Sequence, residues 1–169
     1  MGAEPVAASV HINAPPERVY EYFTRPRALL SWMGESAVLD PRPGGRFDLE
    51  VKGAPVRGRY LRLDPPHRLL ISWGYAGSDR LPPGASTVEI RLTAVGGGTR
   101  VDLEHRDLPA AERPGHATGW AHYFARLQAS AAGGDPGPDP GMPGPGMPDP
   151  GIPDLRDTRS PGGRSDSGA

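Results

Sequence analysis

Imidazole is the side chain whose proton chemistry lies nearest neutral pH, and two of the five histidines sit at positions where they can work together. His105 follows Val101 and Leu103 on one face of an alternating run, so it points inward at the end of an apolar strand. His116 stands one helical turn before Trp120 at the start of a helical pattern. If that helix end packs near the strand end, the two imidazoles converge. They would then anchor a polar group of a ligand or act as a general base. The competing reading is a pair of core histidines bonded to backbone. His122 lies off the His116/Trp120 face, and no His or carboxylate pair has ligand spacing, so no metal is expected. No Ser sits at a nucleophile elbow. Gly96-Gly97-Gly98 precedes a strand, not a helix, and offers no phosphate-binding terminus. Asp48 and Glu50 oppose Phe47 and read as solvated. No catalytic residue and no cofactor is expected.

Large aromatic residues form the second constellation. Trp32, Phe47, Tyr60 and Trp73 come from the first half of the chain, and Trp120 and Phe124 from the last helix. Such side chains line small-molecule pockets and also fill plain cores, so composition does not separate the two. With His105 and His116 they make up the candidate ligand-binding set. The face on which Tyr60 points stays open, because Leu61 and Leu63 lie opposite it unless the strand is bulged.

The elements that must position these residues are legible from period. Ala7 to Asn13 alternates, with Ala8, Val10 and Ile12 on one side. Pro15-Pro16-Glu17 opens a helix whose apolar stripe is Val19, Tyr22 and Phe23, and Pro26 ends it. Arg27 to Trp32 is a second short helix. Then the period becomes two: Ala37 to Leu39, Arg46 to Lys52, Val56 to Leu63, a strand with Leu69, Ile71 and Trp73 inward, a strand with Val88, Ile90 and Leu92, and Thr99 to His105. Gly74 to Ala85 reads as a polar loop. Gly115 to Ala131 is an amphipathic helix carrying Trp120, Phe124 and Leu127. Consecutive strands joined by short turns pair antiparallel. The expected body is α+β: a seven-stranded sheet whose apolar face is covered by the last helix. A curved sheet around one helix leaves a gap where their curvatures differ.

Composition bounds the rest. Gly 24 and Pro 22 are far above ordinary usage, and 10 Gly and 9 Pro fall within the 37 residues 133–169. Domain 6–132 is therefore followed by a Gly/Pro/Asp-rich tail, 133–169, with too little apolar surface to offset ordering entropy and expected to be disordered. Its proline pairs, such as Pro140/Pro143, match P-x-x-P spacing, which this composition yields by itself. The body carries a net charge of +2 and the tail −3, too little to mark a nucleic-acid binder. Eighteen of the 19 basic residues are Arg, and Lys52 is the lone Lys. Cys is 0. The longest aliphatic run is Leu69-Leu70-Ile71, so no membrane span is expected. A cytoplasmic protein follows as the default.

Several motifs occur in a specific order: Ile12-Asn13-Ala14-Pro15-Pro16-Glu17-Arg18-Val19, Trp32, Pro43-Gly44-Gly45-Arg46-Phe47, and Gly58-Arg59-Tyr60. Asp64-Pro65-Pro66-His67-Arg68-Leu69 follows, then Trp73, Gly98-Thr99-Arg100, His105, His116 and Gly119-Trp120. Together they resemble the bacterial single-domain members of the family named after the activator of the heat-shock protein 90 ATPase. That family belongs to the START-like (SRPBCC) superfamily. The resemblance spans about Val6 to Ala132. It implies a helix-grip fold with two short helices after the first strand and an internal cavity for an apolar or amphipathic molecule. It does not imply one activity. The first expectation is therefore a module binding a small apolar molecule, more in keeping with a non-enzyme. The second is a co-chaperone-like partner of a chaperone ATPase, weakened because at most six residues precede the first strand. The third is a cavity enzyme of polyketide cyclase type.

Overall fold

The computed structural model describes residues 4–134, 136, 137 and 139. Its elements run β1 (Val6–Ile12), α1 (Pro16–Thr24), α2 (Pro26–Leu30), β2 (Ser36–Leu39), β3 (Arg46–Val51), β4 (Ala54–Asp64), β5 (Arg68–Trp73), β6 (Ser86–Val95), β7 (Gly98–Arg106) and α3 (Arg113–Ala131). The strands form one antiparallel sheet in the order β1-β7-β6-β5-β4-β3-β2. Only β1 is out of sequence, placed beside β7. This is the expected α+β helix-grip architecture. The sheet curves around α3, and α1 and α2 close one end.

Local chemistry explains the boundaries. Pro16 opens α1 and Pro26 opens α2, each at a first-turn position where a missing N–H removes no bond. Pro26 thus separates the two helices, as the sequence suggests, and also starts the second. The β3–β4 hairpin turns on Lys52 (φ 49) and Gly53 (φ 80), the two consecutive left-handed residues that a tight primed turn needs. Gly58 in β4 has no room for a side chain, since a Cβ there would lie 1.9 Å from the Ser72 carbonyl oxygen.

One face of each of β3 to β7 is buried, whereas β2 at the sheet edge is half-buried at best. Leu69, Ile71 and Trp73 of β5, Val88, Ile90 and Leu92 of β6, and Val101, Leu103 and His105 of β7 all lie at 3% exposure or less. From α3 the buried side is His116, Trp120, Tyr123, Phe124 and Leu127. α3 begins at Arg113, two residues before the reading from spacing, after a single 3-10 turn at Ala110–Glu112. Among the described residues, no helix is long and apolar enough to cross a membrane.

A register shift between Tyr60 and Arg62 settles the face of β4. Tyr60 pairs with Ile71, yet Leu63 pairs with Leu69, so the alternation slips by one between them. Tyr60 therefore points inward at 0% exposure, and Leu61 points out at 47%.

The loop after β5 is less polar in space than in sequence. Tyr75 and Leu81 are buried within it, and Tyr75 extends the Leu69/Ile71/Trp73 face through a bridge to Val56. The gap expected between sheet and helix is also much smaller. The interior holds a cavity of only about 10 Å³, room for about one water. Aromatic rings occupy the rest.

Of the tail, Gly133, Gly134, Pro136, Gly137 and Asp139 are described. The remainder, with the P-x-x-P pairs, lies outside the described residues.

Candidate functional site

The interior has two chemically different ends. At the first, β7 and the start of α3 bring His105 and His116 to a ring separation of 5.2 Å. Trp120 Nε1 donates to His105 Nδ1 at 3.1 Å. That fixes the His105 proton on Nε2, which donates to Ser86 Oγ at 2.8 Å. Ser86 Oγ passes its own proton to the Trp73 carbonyl at 2.9 Å. A second chain runs alongside. Trp73 Nε1 donates to the Tyr75 hydroxyl at 3.2 Å, and that hydroxyl donates to His116 Nε2 at 3.0 Å. His116 Nδ1 donates to the Glu112 carbonyl oxygen at 2.7 Å.

Both rings are therefore bonded on both nitrogens, each as one neutral tautomer. Burial holds His105 well below the usual imidazole range, and the neighbouring His116 adds to this. Burial lowers His116 too, against the hydrogen bond to Glu112. Burial pushes the Tyr75 hydroxyl up to about 12. The arrangement is that of satisfied core histidines. Below them, the Glu112 carboxylate is 1% exposed; one oxygen faces Arg80 at 3.5 Å and the other has no hydrogen-bond partner among the described residues.

The second end is apolar. Trp32, Phe47, Trp73 and Trp120 border the small interior cavity, joined by Phe23, Leu29, Met33, Ile71, Val88 and Ile90. Trp32 meets Phe23 and Phe124 edge-on at 5.5 and 6.3 Å. Its indole N–H donates to the Tyr22 carbonyl at 3.1 Å. Tyr60 is buried beside Phe47, and its hydroxyl donates to the Phe23 carbonyl at 2.8 Å. Outside this wall lies a polar groove of about 330 Å³ between the α2–β2 connection, the β3–β4 turn and α3. Trp32 and Met33 border both the groove and the interior cavity.

All eight sequence-derived candidates are thus buried in one cluster, although not at one point. His105 and His116 belong to the polar end, Trp32 to the apolar end, and Trp73 and Trp120 to both. Sequence reasoning missed Tyr75, Ser86, Met33 and Phe23. The Tyr75 signal was present, because it continues the period of two past Gly74. His122 is apart from the other two histidines, on the groove side. Among the described residues no cluster of three or more His, Asp or Glu can hold a metal ion.

Larger hollows lie on the outer sheet face. One, about 510 Å³, is lined by charges already paired with one another, such as Arg91 with Glu89 at 3.2 Å and Arg100 with Asp102 at 2.9 Å. Burial would raise the Glu89 carboxyl, but Arg68 and Arg106 outweigh it and hold it below the usual range.

A family model for the Activator of Hsp90 ATPase homolog 1-like protein matches residues 13–132. Among solved structures, an AHSA1-like protein from Rhizobium etli is 48% identical, with a TM-score of 0.66 over 80% of this chain and 86% of that one. CalU16 from Micromonospora echinospora is 32% identical, with a TM-score of 0.64 over 78% and 76%. The Aha1 dimer from Colwellia psychrerythraea, at 19% identity and a TM-score of 0.66 over 77% and 97%, shares the fold. No curated protein matches the chain.

Proposed function

Since the chain belongs to the Activator of Hsp90 ATPase homolog 1-like family, we propose that it is a small-molecule binding module of the START-like superfamily. It takes an apolar or amphipathic ligand between the sheet and α3. The observation that carries this reading is the two-residue wall: Trp32 and Met33 stand between a surface groove of about 330 Å³ and an aromatic interior. The interior is closed. A ligand of ordinary size needs a few hundred Å³, so entry requires these two side chains to swing out.

Reaction chemistry has less support. A general base needs a free imidazole nitrogen, and His105 and His116 have none. Their bonds instead rigidify the end of the interior away from the wall. The two imidazoles there close the pocket without offering a free nitrogen.

A fluorescence titration with the neutral apolar dye Nile red tests the reading. One dye is expected to bind per chain, and Met33→Ala, which thins the wall, is expected to speed entry. Absence of binding by both proteins overturns the ligand reading.

A further inference from the structure

The groove outside the Trp32/Met33 wall holds a carboxylate already. Asp139 Oδ1 accepts from His122 Nε2 at 2.9 Å, and Oδ2 accepts from the Tyr123 hydroxyl at 2.8 Å. Lys52 Nζ donates to the Asp139 carbonyl oxygen at 2.6 Å. Arg126 reaches in two directions, donating to the Gly137 carbonyl at 2.8 Å and to the Trp32 carbonyl at 3.2 Å. The same guanidinium thus ties the tail residues to the wall.

The donors come from separate elements. Lys52 is on the β3–β4 turn, and His122, Tyr123 and Arg126 occupy the turns of α3 that pass the groove. Tyr123 is fully buried, so its hydroxyl is costly to leave unpaired. Burial raises its hydroxyl pKa, and the Asp139 carboxylate raises it further. The phenol therefore stays a proton donor. Among the described groove residues the one acid besides Asp139 is Glu35, whose oxygens accept from the Lys52 backbone N–H at 2.9 and 3.1 Å. What remains is a pair of donors, His122 and Tyr123, one on each oxygen of a single carboxylate, with two cations beside them that hold the adjoining main-chain carbonyls.

We propose that His122 and Tyr123 form a carboxylate site flanked by the cations Lys52 and Arg126, and that the Asp139 side chain occupies it as an internal stand-in for the acid head of an amphipathic ligand. This rests on the ligand reading above and adds the class of head group. The ligand's carboxylate replaces that of Asp139, and its apolar chain passes Trp32 and Met33 into the interior. The chemical class is a monocarboxylic acid with an unbranched or aromatic apolar body.

The test is displacement of Nile red from the full chain by sodium dodecanoate and by 1-dodecanol, which share a chain and differ in the head. Asp139→Asn removes the internal competitor. It is expected to raise the preference for dodecanoate over dodecanol by about tenfold, the size of one charge-assisted bond. Tyr123→Phe placed on Asp139→Asn is expected to cut that preference by about as much and to leave dodecanol unchanged. Equal affinities for the two molecules, or a preference that neither substitution moves, overturns the carboxylate site alone. Failure of Nile red to bind any of these proteins overturns the ligand reading, and the carboxylate site with it.

Discussion

The interior of this fold is closed in two ways at its two ends. At the histidine end each donor meets an acceptor, from Trp120 through His105 and Ser86 to the Trp73 carbonyl, and from Trp73 through Tyr75 and His116 to the Glu112 carbonyl. Opening that end breaks several buried hydrogen bonds at once, each costing about 1–3 kcal/mol when its partners are left unpaired. At the other end the Trp32 and Met33 side chains hold the interior shut by contact, with one indole bond to the Tyr22 carbonyl and Arg126 on the Trp32 backbone carbonyl. Directional closure is stiff and contact closure can yield. On the proposed reading the histidine end is the fixed floor and the Trp32/Met33 end is the wall that moves for a ligand to enter.

The largest expected effect lies at the floor. Trp120→Ala should cost about 3–5 kcal/mol, the range for deleting a buried tryptophan, read from urea unfolding midpoints. A cost under about 1 kcal/mol would mean that α3 is not held by this end. Next is pH. Both histidines are lowered in the folded state, so below the unfolded value of about 6.5 the unfolded chain binds more protons. Stability is full above pH 6.5 and falls as pH drops, by up to about 1.4 kcal/mol per pH unit for each histidine. A double His105→Gln, His116→Gln chain should lose that slope while starting less stable. An unchanged slope would move the pH dependence elsewhere. Smaller again is Met33→Ala at the wall, near the low end of about 2–5 kcal/mol. It should leave the pH slope untouched and speed dye entry, which separates wall from floor.

Much of this was legible in the sequence, and the exceptions have physical causes. Alternation at Val101, Leu103 and His105 placed the histidine inward, and the Trp120/Phe124/Leu127 spacing placed α3 on the sheet. Tyr60 was ambiguous because a bulge between residues 60 and 62 inverts the alternation, and a bulge leaves no mark in composition. Tyr75 was overlooked because Gly74 and the prolines of the following loop read as polar irregular chain, although its side chain keeps the strand's face. The near absence of empty space was illegible, since the same aromatic residues fill a core or line a pocket depending on distances of an ångström. Asp139 lies in a segment read by its Gly and Pro content, which carries no information about one carboxylate meeting His122 and Tyr123.

The three tryptophans supply the most direct measurement, because each indole N–H has a different acceptor: the Tyr22 carbonyl for Trp32, the Tyr75 hydroxyl for Trp73 and His105 Nδ1 for Trp120. Nitrogen–proton spectra of the three indoles, recorded with and without saturating Nile red, report which end moves. The Trp32 resonance should shift or broaden most while the Trp120 resonance keeps its hydrogen-bonded position. A Trp32 resonance that stays fixed while Trp120 moves would place the opening at the histidine end and contradict the account.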